Sequence, residues 1–303
     1  MRKDFTAFVA VVACTGALLA CKKGSTGEAT PAASAEAQKT PGVLFSKKVP
    51  GVGAKRTEDA KNEIEVQIEA KRAGRVIHSG AFKKNEREKK RVEVLAANDT
   101  AVTKVKVTYL EKFDAEAEGK AALKRKPSPV SGKSYTVEAV NGSVEVHSDS
   151  GGSVPSKEKK IVADDFKDLG KPDKFTSFIP SRPLLDGEKL LVTADIVREM
   201  FGSKDGDEMS VDSATFTFRG TRTEGPLTYG TFDVSFKLTA SPKDQDLGMV
   251  MDLEGKVTVD TATSWPIEMN LKGPLTMKGK SDKAGVELDG KGSMTAGMTA
   301  QYE

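Results

Sequence analysis

The chain has 303 residues, with 47 Lys and Arg against 44 Asp and Glu, and a formal net charge of +3. Binding to nucleic-acid phosphates needs a clear basic excess or stripe, so this near balance argues against nucleic acid as the main partner. The two cysteines, Cys14 and Cys21, both lie near the start. The rest of the chain therefore cannot be a disulfide-stapled scaffold and must be held by its core.

The first residues have the pattern of a secretory signal segment. Arg2 and Lys3 precede an apolar run from Phe5 to Leu19, which is shorter than the roughly 20 apolar residues of a transmembrane helix. The run ends in Leu18-Leu19-Ala20-Cys21, which resembles the lipobox of bacterial lipoproteins. The resemblance implies a signal peptide of residues 1–20, cleavage between Ala20 and Cys21, and acylation of Cys21.

The same resemblance implies a place in the cell. Lys22, rather than Asp, follows the cysteine, which implies the outer membrane if the cell is Gram-negative. Several acyl chains on Cys21 would form a lasting anchor, whereas one chain binds only reversibly. We therefore expect a lipid-anchored protein of the cell envelope, on its periplasmic or surface face. Ordinary secretion after cleavage is the alternative.

After the cysteine, residues 21–53 are rich in small, polar and charged residues. Such a segment buries too little apolar surface to offset the entropy of ordering, so we predict a flexible tether. Its reach as a random coil is roughly 30 Å.

Residues 54–150 are predicted to form the first β half. Ile64, Val66 and Ile68 alternate with charged or polar residues, as in a half-buried strand. Asn141-Gly142 lies between two such runs and predicts a type I′ hairpin turn. The lysine-rich run from Lys83 to Arg91 is predicted to be a solvated strand edge, because Glu86 and Glu88 interrupt it.

Residues 155–205 differ from the rest. Apolar residues at helical spacing predict one short helix over Lys157–Leu169 and another over Leu190–Phe201. Between them lies an irregular segment with two prolines, Pro180 and Pro183.

Residues 211–303 alternate again, in runs that approach or exceed ten residues. One solvent-exposed face and one buried face indicate an antiparallel sheet. Strands of this length should twist or curl strongly. The predicted fold is mostly β, a large curled antiparallel sheet resembling a half-barrel or barrel, with two short helices between its halves. A proline, Pro266, is predicted to start a returning strand.

Two phrases of this β-rich domain resemble uncharacterised families of exported bacterial proteins. They are Pro180-x-x-Pro183-Leu-x-x-Gly187-Glu188 and Gly255-x-Val257-Thr258-Val259-Asp260. The resemblance implies no activity, because those families have none assigned.

Motifs for chemistry are few. The two histidines, His78 and His147, lie in separate strand-like segments, so we expect no metal site and no cofactor. The closest carboxylate clusters are Asp164-Asp165 and the group of Asp205, Asp207 and Glu208, which are typical of turns and helix caps. A catalytic pair among them stays open as the third hypothesis, and no catalytic residue is assigned.

The remaining feature is the apolar face of the strands in residues 211–303, which is rich in methionine and phenylalanine. Methionine is flexible and fills irregular cores, but it also lines adaptable binding surfaces. This face is therefore predicted to be either core or the wall of a ligand cavity. Its candidate residues are Phe232, Phe236, Met249, Met251, Met269 and Met277.

Two main functions follow as hypotheses. The first is a non-enzymatic envelope lipoprotein that binds an envelope protein or has a structural role. The second is a carrier or sensor of lipid or another apolar ligand in a half-barrel cavity. Both take the membrane, through the lipid on Cys21, as a partner.

Overall fold

The computed structural model describes residues 42–173, 175–200, 208–241, 247–281 and 285–303, and its strands form one antiparallel sheet that is not closed. The strands are β1 (Lys55–Arg72), β2 (Arg75–Ala97), β3 (Val102–Glu118), β4 (Lys124–Pro127), β5 (Ser134–Val140), β6 (Ser143–Ser148), β7 (Lys189–Leu191), β8 (Glu208–Glu224), β9 (Leu227–Ser241), β10 (Leu247–Asp260), β11 (Pro266–Ser281) and β12 (Val286–Tyr302). Their order across the sheet is β6-β5-β3-β2-β1-β12-β11-β10-β9-β8-β7, and β4 also pairs with β3.

The first and last strands meet at the centre of the sheet. β1 pairs with β12 along its length, from Arg56 opposite Tyr302 to Arg72 opposite Val286. The two predicted β halves are therefore one continuous sheet, and the predicted fold class is confirmed. The hairpin at Asn141-Gly142 is also present, with φ of 50° and 81° at the two turn residues.

Three glycines on adjacent strands explain why the sheet curls. Gly255 on β10, Gly273 on β11 and Gly292 on β12 lie on a diagonal, each two residues from the partner of the one before. A Cβ atom at each position would lie 1.8 Å from a backbone carbonyl oxygen of a neighbouring strand. Strands can approach this closely only where no side chain intervenes, so the sheet bends sharply along this diagonal.

The middle segment crosses the concave side of the sheet with three short helical elements. They are α1 (Ser156–Asp165), a 3₁₀ helix (Phe175–Phe178) and α2 (Ala194–Met200). The first predicted helix therefore ends earlier than expected, and Gly170 follows with a φ of 86°. The prediction that the second helix begins at Leu190 is wrong, because Leu190 pairs with Phe216 in the sheet.

The buried residues form two hydrophobic clusters. The larger is formed by β8–β12, by α2, and by the ends of β1 and β2 that lie nearest their shared hairpin. Phe216, Phe232 and Phe236 are fully buried in it. The smaller is formed by β3, β5, β6 and α1, around Tyr109 and Tyr135. The inner surface of β1 and β2 lies between the two clusters.

Residues 42–50 form a strap across one end of the sheet. Val43 and Leu184 exchange two backbone hydrogen bonds of 2.8 Å, and Ser46 N donates to Thr261 O at 2.7 Å. Phe45 is 3% exposed and covers Gly230, where a Cβ would lie 2.3 Å from its ring. The predicted tether therefore does not extend to residue 53, because backbone hydrogen bonds and the burial of Phe45 hold residues 42–50 on the sheet.

Several predictions fall outside the described residues. These are the signal peptide, Ala20, Cys21 and most of the tether, together with Asp205, Asp207 and the end of the second predicted helix. Among the residues that are described, no helix has the length and apolar character needed to cross a membrane.

Candidate binding cavity

A cavity of about 520 Å³ lies under the curled sheet, between the two hydrophobic clusters. Its floor is the inner surface of β1, β2 and β12, and the turns that follow α1 form the opposite wall. The strap contributes residues 47–50 and the β10–β11 loop contributes Trp265. The cavity therefore lies where the sheet, the middle segment and the strap meet.

Much of the cavity lining is apolar. It includes aliphatic, aromatic and methionine side chains from both hydrophobic clusters and from the middle segment. They include Val92, Phe166, Leu169, Phe175, Ile196, Met269 and Met298.

The lining also has charged groups, which come mainly from adjacent strands and pair with one another or with Lys112 behind them. Lys90 Nζ lies 2.6 Å from Glu88 Oε1 and 3.4 Å from Glu58 Oε2. Lys112 on β3 pairs with Glu88 and also donates to Asp165 Oδ2 at 2.7 Å. Lys90 is only 8% exposed, so these charges compensate one another away from water.

The two acids that share these lysines respond in opposite ways. Burial opposes ionisation of Glu88, but the charges of Lys90 and Lys112 outweigh it and lower the pKa of Glu88 to about 2. Burial, followed by the negative charge of Glu88, raises the pKa of Asp165 above its ordinary value. Glu88 therefore carries the fixed charge, whereas Asp165 is the acid whose proton is held more tightly on folding.

Asp165 also has a tyrosine partner. The Tyr109 hydroxyl donates to Asp165 Oδ2 at 2.8 Å. Burial, and then Asp165, raise the pKa of Tyr109 well above its ordinary value, which keeps this hydroxyl a donor. The C-terminal end of α1 is thus fixed to the sheet by polar contacts.

A second polar group lies beside Trp265. Arg56 stacks on the Trp265 ring at 4.2 Å and pairs with Glu58, with Nε and Oε1 2.6 Å apart. Burial raises the pKa of Tyr302 to about 12, against the opposing charge of Arg56. Burial likewise raises the pKa of Asp173, although Arg56 again opposes the shift.

Among the described residues, three buried polar atoms of the cavity wall make no hydrogen bond: Asp168 Oδ2, the Tyr302 hydroxyl and Arg56 Nε. Arg56 nevertheless pairs with Glu58 and also interacts with Tyr302. The other oxygen of Asp168 accepts a bond of 2.8 Å from Lys171 Nζ. Buried polar atoms are nearly always paired in folded proteins, so Asp168 Oδ2 can bind the polar part of a molecule in the cavity.

The residues predicted as a ligand face lie mostly in the core. Phe232, Phe236 and Met251 are buried in the larger cluster, and Met249 and Met277 are half-buried against it. Met269 also belongs to the cluster and lines the cavity. Their predicted contact with a ligand stays a prediction.

Sequence reasoning missed the charged groups of the cavity lining. The run from Lys83 to Arg91 was predicted to be a solvated edge, which is wrong because β2 lies between β1 and β3. Lys84 and Lys90 are 4% and 8% exposed. Lys84 and Lys90 are separated by even numbers of residues from Val92 and Val94. Residues two apart share one face of a strand, so this spacing indicated that the two lysines lie on the buried face.

Within the described ranges, no group of three or more His, Cys, Asp and Glu side chains is placed to hold a metal ion. His78 lies on β2 and His147 on β6. Of the predicted carboxylate clusters, Asp165 belongs to the charged groups of the cavity lining, and Glu208 begins β8.

Comparison with known proteins gives only remote similarities. No protein-family model matches the chain, and no curated protein matches it. A structure on lipid–protein interactions in lipovitellin is similar at a TM-score of 0.36 and 5% identity, over 83% of this chain and 25% of that one. DynF, from the dynemicin biosynthesis pathway of Micromonospora chersina, is similar at a TM-score of 0.19 and 11% identity, over 92% of each chain. The chain thus spans about a quarter of the lipovitellin chain, and at these TM-scores neither similarity supports a statement on function.

Proposed function

We propose that this protein is a lipid-anchored binding protein of the cell envelope that holds one amphipathic molecule in the cavity under its sheet. The observation that carries the proposal is the mixed cavity lining, with Met298 and Phe166 among the apolar groups and Asp168 and Tyr302 among the polar ones. A volume of about 520 Å³ lies within the usual range for small-molecule sites. The anchor is proposed from the lipobox-like sequence that ends at Cys21.

The charges of the wall limit the ligand class. Glu58, Glu88 and Lys90 compensate one another, with Lys112 behind them, so an unpaired charge placed beside this group would be desolvated without a partner. The unpartnered Oδ2 of Asp168 instead suits a head group with hydroxyl or amide functions. We therefore propose a ligand with one apolar chain and an uncharged polar head, such as a monoacylglycerol.

Trp265 provides the test, because it is the only tryptophan and lines the cavity. Monoacylglycerol with a brominated chain should quench the fluorescence of Trp265 in the purified full-length protein, and the quenching should saturate. Ala60 lines the cavity and lies opposite Glu88 and Met298, so Ala60→Phe should weaken binding by at least about tenfold.

Lys61→Phe is the matched control, because Lys61 follows Ala60 in the chain but is exposed on the opposite face of β1. It should bind like the unchanged protein. Quenching that does not saturate with any chain length, or equal affinity in folded Ala60→Phe, would reject the cavity as the binding site. Circular dichroism of each variant establishes that it is folded.

A further inference from the structure

The hairpin between β1 and β2 extends beyond β3. β3 pairs with β2 only from Phe82 onward, so Arg75 to Gly80 have no partner strand on that side. At about 3.4 Å per residue, this unpaired edge is about 20 Å long. Residues 72–79 are all exposed, which marks the end of the hairpin as a separate surface.

The end of this hairpin combines apolar and basic side chains. Val76 and Ile77 are each 53% exposed and are adjacent in sequence. The register shifts here, with Ala70 opposite His78 and Lys71 opposite Val76, which leaves Ile77 without a partner. Such a bulge interrupts the alternation that would otherwise direct adjacent side chains to opposite faces.

The charges nearby are positive at the outermost positions. Arg72 and Arg75 face each other across the turn, and within the described residues neither has an ion pair. Lys71 is paired with Asp289 at 2.7 Å and with Glu69 at 3.3 Å. No acidic residue occurs between Lys71 and Gly80, so the end of the hairpin presents an uncompensated positive surface.

The neighbouring hairpin lies beside the same tip. Val286, the first residue of β12, lies opposite both Arg72 and Ser281. Lys278 and Lys280 on β11 are exposed, but Asp289 and Glu287 on β12 lie opposite them. Among the described residues here, the positive charge without an acidic neighbour is therefore that of Arg72 and Arg75.

We propose that the tip of the β1–β2 hairpin, residues 72–79, docks on an anionic phospholipid surface. Val76 and Ile77 enter the interface between head groups and acyl chains, while Arg72 and Arg75 bind lipid phosphates. An apolar pair flanked by unpaired arginines suits this partner, because the membrane interface accepts apolar groups and its anionic lipids attract the cations. This surface is independent of the cavity and of the proposed ligand.

A fluorophore on the hairpin tests the proposal. Ser79→Cys keeps Val76 and Ile77 intact, and replacing Cys14 and Cys21 by Ser makes the new thiol unique in the full-length chain. An environment-sensitive label there should shift to shorter wavelength on phosphatidylglycerol vesicles and be quenched by brominated lipid. The same label at Leu191, which is 82% exposed on β7, should not respond.

The variants separate the two contributions. Two cations near an anionic surface together strengthen docking about 30-fold, so Arg72→Gln with Arg75→Gln should weaken docking by that factor. Lys237→Gln with Lys256→Gln is charge-matched on the exposed side of β9 and β10 and should have no effect. Val76→Ser with Ile77→Ser should weaken docking at least about tenfold.

Three results would overturn the proposal. The first is a label at position 79 whose emission neither shifts nor is quenched on phosphatidylglycerol vesicles. The second is an equal response on phosphatidylcholine vesicles that the double arginine variant does not change. The third is a spectral shift that depends on protein concentration without vesicles, because the tip would then bind a second copy of the chain. Each result can be told apart from failure of the cavity to bind a ligand.

Discussion

Glu88 is the acid whose removal should disturb the protein most. In Glu88→Gln, the buried Lys90 and the half-buried Lys112 lose the carboxylate that both of them contact. Removing one partner of a buried ion pair typically costs about 3–5 kcal/mol, because the other partner is left buried without its counter-charge. The lowered pKa of Glu88 shows that folding favours its charged form. We therefore expect Glu88→Gln to lower the free energy of unfolding by about 3 kcal/mol or more, measured by urea denaturation.

The pH dependence has a definite sign. Because the folded pKa of Glu88 is lowered, its contribution is complete above the unfolded pKa and is lost as the pH falls toward 2. The difference between the unchanged protein and Glu88→Gln should therefore shrink over the same range. Asp165 has a raised pKa, so its neutral form is favoured by folding and Asp165→Asn should not lower stability at pH 7. Equal losses in the two variants would refute this account of the charged wall.

Three further predictions address the sheet, the strap and the anchor. Gly273→Ala should cost several kcal/mol in thermal unfolding, because its Cβ would lie 1.8 Å from Asp252 O, whereas Gly248→Ala, with 4.0 Å to its nearest atom, should cost little. Equal melting temperatures would contradict the close approach of the strands. Phe45→Ala should lower the free energy of unfolding by about 3–5 kcal/mol, because Phe45 packs on Phe218 and Phe232; a loss near zero would mean that the strap is not part of the core. Labelled palmitate should mark the protein in cells and not its Cys21→Ser variant, and an unmarked protein would contradict the lipid anchor.

The fold class followed from the sequence because strand alternation is a local signal. Val66 and Ile68 face inward and are buried, as their spacing indicates. The pairing of β1 with β12 could not be predicted in this way, because both strands have similar alternation and nothing local selects their partners. Gly255, Gly273 and Gly292 were visible as strand-interior glycines, but their diagonal requires the register between strands.

The candidate site was harder to predict than the fold. Phe232 and Met251 have the composition of a binding face, yet they fill the core where the sheet packs on its own middle segment. The cavity forms instead where Glu88 and Lys90 interrupt the apolar inner face of β2. Charged residues are usually assigned to solvent from sequence, and only the tertiary pairing with Lys112 shows how they are accommodated.

Native mass spectrometry of the full-length protein, gently extracted from the envelope of its own cells, tests the central claim most directly. We predict a discrete bound mass of an amphipathic molecule, released on unfolding and much reduced in Ala60→Phe but not in Lys61→Phe. The same bound mass in both variants, or none in the folded unchanged protein, would contradict a ligand-binding role for the cavity.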